Sequence, residues 1–267
     1  MRPLEEVCLL LRCPGCRTSP MRAAEAAIEC PACRRRYPAA GHVDLTGEAG
    51  AEPASTGSFR LAQHLMFLRP LAAIYERLWR PAFVGALSLW SIPFEAEWFI
   101  TRNALGVGER RGPWLDLSCG PGLYTRRMAA AAPDDVVVGL DLSRAMLERA
   151  QGQRPPEARR LHLVRGDVAD LPFRDGAFSG VNNAAALHLY DDPARAMAEV
   201  FRVLAPGGIY VGSTVVWTLS VMQPFMRLAG TKLWREDELR RLLTDAGLVG
   251  YEEARVRGAT IFRARKP

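Results

Sequence analysis

The sequence predicts an α/β fold in which a mainly parallel sheet carries helices on both faces. From Trp114 onward, short apolar runs alternate with segments of helical spacing, which is typical of parallel strands joined by helices. The 267 residues are 49% hydrophobic and 24% charged, an ordinary globular composition that excludes a disordered or collagen-like chain. Four of the six cysteines form two close pairs near the N-terminus, which predicts a small additional module there.

Seven strands are expected, with helices after the first, second, fourth and fifth, and the last two form a closing hairpin. The strands fall at residues 114–118, 136–141, 161–167, 177–183, 208–216, 249–257 and 259–266. The helices fall at residues 123–132, 144–151, 193–204 and 236–246. Ser143 is a typical N-cap for the second of these helices, and Pro193 suits the first turn of the third. The main domain is therefore expected at residues 112–267.

A linker and a helical lid are expected at residues 48–111. The stretch 47–57 is rich in Gly, Ala, Ser and Pro and is typical of a linker. After it, apolar residues recur at helical spacing, namely Leu61, Leu65, Leu68, Leu71, Ile74 and Leu78. Pro70, Pro81 and Pro93 divide this region into short helices.

The four N-terminal cysteines, Cys13, Cys16, Cys30 and Cys33, have the spacing of a zinc ribbon. Two Cys-x-x-Cys turns separated by 13 residues can present four thiolates to one ion. Four sulfur ligands leave no open coordination position, so the expected metal is a structural Zn²⁺. A redox pair or incidental cysteines are the alternative, although a thioredoxin-like pair would need a flanking βαβ unit. Residues 1–47 are therefore predicted to be a zinc ribbon.

The net charge of +6 is only a weak indication of a nucleic-acid partner. The positive charge comes from 33 arginines and two lysines, and no block of like charge is longer than a few residues. A nucleic-acid partner is therefore possible but not favoured. The sequence shows no secretory signal and no apolar run near the roughly 20 residues needed to span a bilayer. We therefore expect a cytoplasmic protein without a membrane span.

The decisive stretch runs from Trp114 to Leu123, where an apolar strand ends in a glycine-containing turn and a helix begins. Glycine permits positive φ there and lets a ligand approach the backbone. Several nucleotide-like cofactors bind such loops, so the loop alone does not identify the ligand. The third glycine of the dinucleotide pattern is absent, since Thr125 stands in its place. Asp116, before the glycines, disfavours a pyrophosphate and suits an ammonium group, reached directly or through water.

Two more acids end the next predicted strands. Asp141 follows the second strand, where a carboxylate can accept hydrogen bonds from both hydroxyls of a ribose. Asp167 follows the third strand, where it can accept a hydrogen bond from an adenine amino group. Three carboxylates on consecutive strands therefore match an amino-acid ammonium, a ribose and an adenine.

Two further motifs accompany these acids and the glycine loop, namely Leu171-Pro172-Phe173 and the run Arg202–Gly208. Together, these features resemble the class I S-adenosylmethionine-dependent methyltransferases, such as those of quinone biosynthesis. A narrower resemblance, carried by Tyr75–Arg80, Ala185–His188 and the four cysteines, is to uncharacterised methyltransferase-like proteins of plastids and cyanobacteria. The resemblance implies a Rossmann-like, doubly wound seven-stranded sheet and S-adenosylmethionine as cofactor. Bacterial ribosomal RNA guanine-N1 methyltransferases share the layout of a four-cysteine ribbon and a methyltransferase domain, but resemble this chain less after the fourth strand.

We expect the cofactor to bind at the ends of the first four strands. Leu142 and Met146 are placed to sandwich an adenine, although core packing explains Met146 nearly as well. Cys119 is expected to pack within the loop rather than act as a nucleophile. The full predicted set is Asp116, Ser118, Cys119, Gly120, Gly122, Asp141, Leu142, Met146, Asp167, Val168 and Asn183.

The catalytic candidates follow the fourth strand. Methyl transfer from a sulfonium is an in-line displacement in which the enzyme mainly supplies proximity and alignment, and a hydroxyl acceptor also needs a base. His188 has the pKa range for that base, and Tyr190 is a weaker candidate for orienting the acceptor. A structural role for His188 as a packed loop residue is the alternative.

The predicted acceptor is a small hydrophobic molecule. The apolar insert at 217–226 and the aromatic-rich stretch 60–100 can together roof an apolar pocket, with core packing or a dimer surface as the alternative. Such a pocket favours O- or C-methylation of a quinone, polyketide or other aromatic metabolite. The alternatives are base methylation of ribosomal or transfer RNA and a non-methylating S-adenosylmethionine-binding protein such as a cyclase.

Overall fold

The computed structural model describes residues 3–46, 65–82, 85, 93–217, 223–228 and 230–267. These ranges include every residue of the predicted cofactor set and all six cysteines. The predicted linker at 47–57, Leu61 of the apolar series and residues 218–222 of the apolar insert lie outside the described residues.

From Trp114 onward, every predicted strand and helix is present, in the predicted order. The strands are β1 (Arg22–Ala24), β2 (Ala27–Glu29), β3 (Arg36–Pro38), β4 (Val43–Asp44), β5 (Trp114–Leu117), β6 (Val137–Asp141), β7 (Leu161–Arg165), β8 (Phe178–Ala184), β9 (Leu204–Val215), β10 (Val249–Val256) and β11 (Ala259–Arg265). The α-helices are α1 (Pro3–Cys8), α2 (Arg69–Ile74), α3 (Phe94–Leu105), α4 (Leu123–Ala131), α5 (Arg144–Gly152), α6 (Pro193–Val203), α7 (Gln223–Leu228) and α8 (Glu236–Asp245). The predicted N-cap is confirmed, because Ser143 Oγ accepts a hydrogen bond from Met146 N at 3.3 Å.

Eight strands form the central sheet, in the order β10-β11-β9-β8-β5-β6-β7-β4. Neighbours from β9 to β4 are parallel, whereas β11 pairs antiparallel with both β9 and β10. The predicted Rossmann-like sheet of seven strands is confirmed by β5 to β11. The largest difference in bounds is at β9, which begins at Leu204 instead of Gly208, because the Pro206-Gly207-Gly208 turn is included as an irregular extension paired with β8.

Successive side chains along each strand pack alternately into two cores, one on each face of the sheet, as expected when helices cover both faces. Leu115 and Val138 face a core that also contains residues of α6, α8 and the cysteine module. Trp114 and Val137, one residue earlier on the same strands, face a second core with residues of α3, α4 and α5. The doubly wound arrangement therefore follows from strands that are apolar on both sides.

The cysteine module consists of α1 and an antiparallel sheet of β1, β2 and β3. The second Cys-x-x-Cys turn lies between β2 and β3. The chain leaving the module adds β4 to the central sheet, where Asp44 is paired in parallel register with Arg165 of β7. This eighth strand is not predicted by the sequence, because two residues are too few to show a period. The module therefore shares a core and a sheet with the main domain.

The lid continues from α2 as a π-helical turn over Tyr75–Trp79 and ends in α3. Leu71 is buried, but Ile74 is 44% exposed and Leu78 is 62% exposed. The apolar spacing therefore does not produce one continuous buried face. The π-helical turn accounts for the difference, since it changes the angle between successive side chains.

Candidate active site

The loop between β5 and α4 lies at the carboxyl edge of the sheet, where the strand order reverses, with β6 on one side of β5 and β8 on the other. In open α/β sheets, ligands bind at this point. Ser118, Gly120 and Gly122 have φ angles of 54°, 54° and 84°. A Cβ at Gly122 would lie 3.2 Å from the Cβ of Ala150. The loop therefore needs glycine both for its backbone conformation and for its close approach to α5.

Asp116 lies beneath this loop and is 2% exposed. Its Oδ2 accepts a hydrogen bond from Thr125 Oγ1 at 2.5 Å, and its Oδ1 accepts one from Asn182 Nδ2 at 2.7 Å. Burial raises the pKa of Asp116 to about 6, against the effect of these hydrogen bonds. Asp116 thus joins β5 to α4 and β8, and its predicted contact with an ammonium group stays a prediction. Cys119 is buried nearby, and burial raises the pKa of its thiol.

Asp141 is the carboxylate that holds the glycine loop. Its Oδ2 accepts a hydrogen bond from Gly120 N at 2.8 Å, and its Oδ1 accepts one from Ser143 N at 2.8 Å. Each oxygen has lone pairs left for a further donor such as a ribose hydroxyl. Burial raises the pKa of Asp141, although the two backbone N–H groups act in the opposite direction. The geometry is therefore compatible with the predicted ribose contact.

The predicted adenine-binding residues follow β6 and β7. Asp167 is exposed, and its Oδ1 accepts a hydrogen bond from Ala169 N at 2.8 Å. Val168 is half-buried and packs against the main core. Leu142 is also half-buried, and its carbonyl accepts a hydrogen bond from Arg165 Nε at 3.0 Å. The structure therefore brings Leu142, Asp167 and Val168 to the ends of two adjacent strands.

Tyr75 of the lid contacts the glycine loop. A Cβ at Gly120 would lie 4.0 Å from Cε1 of Tyr75. Tyr75 also packs, together with Ala72, in a cluster with Met146, which is 2% exposed. Met146 is therefore in contact with lid residues. Tyr75 is not among the site residues that the sequence predicts, since only tertiary packing brings the lid to this loop.

Among the described residues, an ion pair joins the lid to the main domain and another joins two segments of the lid. Arg126 Nη2 donates hydrogen bonds to both carboxylate oxygens of Glu76, at 2.8 and 2.9 Å, and Arg126 Nη1 donates to the Pro121 carbonyl at 2.7 Å. Arg80 Nη2 donates to Glu97 Oε2 at 2.6 Å, and both side chains are buried. The first pair connects the lid directly to the cofactor loop. No sequence signal predicts it, because the partners lie on separate elements.

Tyr190 reaches the cofactor loop from the turn after β8. Its hydroxyl is 2.8 Å from Ser118 Oγ and 3.0 Å from Asn183 Nδ2, and Asn183 Nδ2 is also 3.2 Å from the Tyr210 hydroxyl. Burial raises the pKa of Tyr190, so its hydroxyl is protonated at neutral pH. Among the described residues, Asn183 Oδ1 is buried without a hydrogen-bond partner. A network of uncharged polar groups therefore connects the loop after β5 with β8 and β9. Within it, Asn183 Oδ1 is an acceptor atom available to a ligand.

His188 lies on the same turn and is 2% exposed. Its Nδ1 is 3.5 Å from Thr214 Oγ1 of β9, and its carbonyl accepts a hydrogen bond from Lys232 N at 3.0 Å. Burial lowers the pKa of His188 to about 4, so the ring is neutral at pH 7 and is a weak base. The structure thus places Tyr190 in contact with the cofactor loop and His188 in contact with β9.

The four N-terminal cysteines converge on one point. The Sγ atoms of Cys13, Cys16, Cys30 and Cys33 all lie within 4.8 Å of one another, with 3.6 Å from Cys13 to Cys33 and 3.5 Å from Cys16 to Cys30. Sulfur atoms around a tetrahedral Zn²⁺ are about 3.8 Å apart when Zn–S is about 2.3 Å, whereas a disulfide would hold two of them about 2.0 Å apart. The four side chains therefore fit one tetrahedral ion.

Comparisons with known proteins agree with this geometry. Residues 115–212 match the family described as the methyltransferase domain. The chain is 31% identical over 264 residues to an uncharacterized chloroplastic methyltransferase of Arabidopsis thaliana, covering 90% of this chain and 71% of that protein. The chain belongs to the class I S-adenosylmethionine-dependent methyltransferases. S-adenosylmethionine is therefore its methyl donor.

This methyltransferase is also similar to quinone methyltransferases. It is 37% identical over 116 residues to the demethylmenaquinone methyltransferase of Symbiobacterium thermophilum, covering 42% of this chain and 44% of that protein. The solved structure of geranyl diphosphate C-methyltransferase from Streptomyces coelicolor, with S-adenosyl-L-homocysteine, matches with a TM-score of 0.57 and 17% identity over 65% of this chain and 76% of that one. At this identity the solved structure supports the fold alone.

The comparisons do not establish the cellular compartment of this methyltransferase. No helix in the described part of this methyltransferase is long and apolar enough to cross a bilayer. The Arabidopsis protein is chloroplastic by name. The expected cytoplasmic location therefore stays a prediction.

Proposed function

We propose that this methyltransferase transfers the methyl group to an oxygen or carbon atom of a small hydrophobic acceptor, such as a quinone, a polyketide or another aromatic metabolite. The observation that carries the proposal is the charge at the strand ends. Among the described residues 118–122, 141–143, 166–170, 184–190 and 216–217, none is Lys or Arg. Arginines reach these segments only from neighbouring elements, where Arg126, Arg165 and Arg255 donate to the carbonyls of Pro121, Leu142 and Trp217. An RNA acceptor would need cationic side chains along its phosphates. A neutral acceptor suits this edge of the sheet better.

Two further observations support a hydrophobic acceptor. Trp217, directly after β9, is 42% exposed at this edge. One similar protein is, by its name, a methyltransferase of a quinone precursor.

We assign the cofactor to the predicted strand-end residues, with the roles that the sequence predicts. Asp141 accepts the ribose hydroxyls, and Asp167 accepts the adenine amino group. Leu142, Met146 and Val168 contact the adenine. The backbone from Ser118 through Cys119 and Gly120 to Gly122 receives the methionine part, supported by Asp116 below and Asn183 beside it.

Catalysis in this proposal depends mainly on alignment, because the sulfonium donor is already activated. Tyr190 donates its hydroxyl proton toward the acceptor while Ser118 and Asn183 hold its orientation. His188 is the group that takes the proton when the acceptor is a hydroxyl. Its neutral ring can accept that proton, but its low pKa gives little driving force. A reactive, acidic hydroxyl such as a phenol or hydroquinone fits this weak base.

We propose that Cys13, Cys16, Cys30 and Cys33 hold one structural Zn²⁺. Four sulfur ligands fill a tetrahedron, so this ion would order the module rather than react with substrate. The proposed organisation is a zinc ribbon at 1–47, a linker and lid at 48–111, and the methyltransferase domain at 112–267.

The test uses S-adenosylmethionine with an isotopically labelled methyl group. The protein is incubated with total RNA and, separately, with a lipid-soluble extract. The expected result is label in a lipid-soluble product, with Asp141→Ala as the negative control. Loss of the Asp141 hydrogen bonds should weaken cofactor binding by roughly tenfold or more. Label recovered in RNA alone would overturn the proposed acceptor class.

A further inference from the structure

We infer that the cysteine module is a positioning element of the cofactor site. It holds the turn that carries Asp167, so a metal ion on the four cysteines and a cofactor at the sheet edge stabilise each other's binding. This inference rests on the proposed function, because it gives the proposed zinc site a second task. Three sets of contacts carry it.

The first contact runs from a metal-binding turn to the adenine side of the site. Arg17 directly follows Cys16, has a φ of 65°, and donates its backbone N–H to the Cys13 carbonyl at 2.8 Å. Its guanidinium makes a two-pronged ion pair with Asp170, one prong of which is 3.0 Å from Nη2 to Oδ2. Asp170 N donates a hydrogen bond to the Asp167 carbonyl at 3.2 Å. The turn bearing Asp167 is therefore two hydrogen-bonded steps from the cysteines.

The second contact holds the other side of the same turn. Leu45 N donates a hydrogen bond to the Arg165 carbonyl at 3.0 Å, and Asp44 Oδ2 is 3.1 Å from Arg165 Nη1. Arg165 lies two residues before Asp167 and also holds the Leu142 carbonyl. The segment containing β4, which leaves the cysteine module, therefore holds Arg165 in place. Arg165 in turn positions both proposed adenine-binding segments, at Leu142 and at Asp167.

The third contact extends the attachment beyond the turn. Arg12 N donates to the Pro172 carbonyl at 3.0 Å, and Arg174 N donates to the Leu10 carbonyl at 2.9 Å. Arg12 directly precedes Cys13, so this attachment also begins beside a metal-binding turn. Residues 165–174 are thus bonded to the module on both sides of Asp167.

The consequence is thermodynamic coupling between two sites. Without the ion, the Cys13–Cys16 turn loses the ligand bonds that order its cysteine side chains, so that ordering Arg17 costs more free energy when the cofactor binds. Whatever factor the metal adds to cofactor affinity, the cofactor adds to metal affinity. A module that merely folds beside the domain would give no such reciprocity.

The chain supplies a matched control for Arg17. Arg34 also follows the second cysteine of a Cys-x-x-Cys turn, has a φ of 62°, and donates its backbone N–H to the first cysteine, Cys30, at 3.0 Å. Its guanidinium pairs with Glu29, inside the module, at 3.3 Å. Arg34→Ala therefore removes the equivalent side chain without touching residues 165–174.

The experiment uses the full-length, zinc-loaded protein. S-adenosylhomocysteine affinity is measured by calorimetry for the wild type, Arg17→Ala, Arg34→Ala and Asp170→Asn, and zinc release to a chromogenic chelator is timed with and without saturating S-adenosylhomocysteine. We expect Arg17→Ala and Asp170→Asn to weaken binding about two- to fivefold, the scale of a partly exposed ion pair. Arg34→Ala should bind like the wild type. S-adenosylhomocysteine should slow zinc release from the wild type and Arg34→Ala, and have little effect on Arg17→Ala.

The outcomes separate this inference from the proposed function. If the wild type binds S-adenosylhomocysteine and zinc but Arg17→Ala equals Arg34→Ala in both measurements, the coupling is absent and the inference is wrong. If the wild type binds no S-adenosylhomocysteine, the proposed cofactor site itself is wrong. A wild type without zinc by elemental analysis also overturns the coupling. Asp170→Asn changes no residue of the module, although it also removes the 3.7 Å ion pair between Asp170 and Arg12. Weakened binding in this variant would therefore reflect lost contacts between the module and the turn.

Discussion

Asp44 and Arg165 form a buried ion pair, 3.1 Å from Oδ2 to Nη1, between the last strand of the cysteine module and the third strand of the predicted sheet. The Arg165 side chain is 0% exposed and that of Asp44 is 9% exposed. Burial acts to raise the pKa of Asp44, but hydrogen bonds from Thr46 and the pair with Arg165 hold it below its usual value. The charge of Asp44 is therefore favoured by the folded state.

We predict that Asp44→Asn lowers the free energy of unfolding by about 3 kcal/mol at pH 7, because it leaves the Arg165 charge buried without its carboxylate. The lowered pKa of Asp44 means that its contribution is present above its unfolded pKa of 3.8 and is lost as the pH falls through the folded value. Urea unfolding of both proteins at pH 7 measures the difference. Glu252→Gln, which breaks an exposed pair with Arg263 in the same sheet, should change little. Equal losses in the two variants would contradict a special role for the buried pair.

A second prediction concerns acid stability. His162 of β7 is 7% exposed, and burial, reinforced by Arg154 and Arg160, lowers its pKa from 6.5 to about 4. Between these values the unfolded chain binds more protons, so stability falls as the pH falls. Between pH 7.5 and pH 5, the free energy of unfolding of His162→Gln should fall by about 2 kcal/mol less than that of the wild type.

The measurement for His162 is urea unfolding of both proteins across that pH range. The opposite contribution of Asp116, whose pKa is raised to about 6 by burial, is present in both proteins and cancels. Parallel stability curves for the wild type and His162→Gln would contradict the prediction. A difference in the free energy of unfolding that is the same at all pH values would indicate that the substitution acts only through packing.

The central sheet could be predicted because its strands are apolar runs bounded by turn residues, and the acids Asp141 and Asp167 lie at the carboxyl ends of two of them. The contacts around the site could not be predicted from the sequence. The carboxylate of Asp116 is covered by Asn182 from a neighbouring strand, and Tyr75 arrives from a lid that precedes the sheet. Such partners are set by tertiary packing, which leaves no period in the sequence.

A third prediction tests the metal site. Cys30→Ser should lose zinc and lower the melting temperature, because three thiolates and a hydroxyl hold Zn²⁺ far more weakly than four thiolates. Elemental analysis and thermal unfolding give the two readouts. Cys8→Ala is the control, since Cys8 is buried outside the cluster and burial raises its pKa to about 11. A Cys30→Ser protein that keeps one zinc per chain would remove the proposed ligand set.

The last prediction concerns the lid. Glu76 receives two hydrogen bonds from Arg126, which also donates to the Pro121 carbonyl of the cofactor loop, and both charged side chains are less than one fifth exposed. Glu76→Gln should loosen the lid and raise the dissociation rate of S-adenosylhomocysteine roughly three- to tenfold, the scale of a lost charge-assisted hydrogen bond, because a closed lid slows ligand release.

Stopped-flow displacement of S-adenosylhomocysteine measures this rate. The matched control is Glu95→Gln, which breaks the exposed pair with Arg127, the residue next to Arg126 on α4. Glu95 holds α3 to α4 but does not bond to the glycine loop in the described contacts, so its loss should leave the dissociation rate near that of the wild type. Equal acceleration in both variants would mean that the lid acts only through general stability. Unchanged dissociation in Glu76→Gln would mean that Tyr75 covers the loop without help from this ion pair.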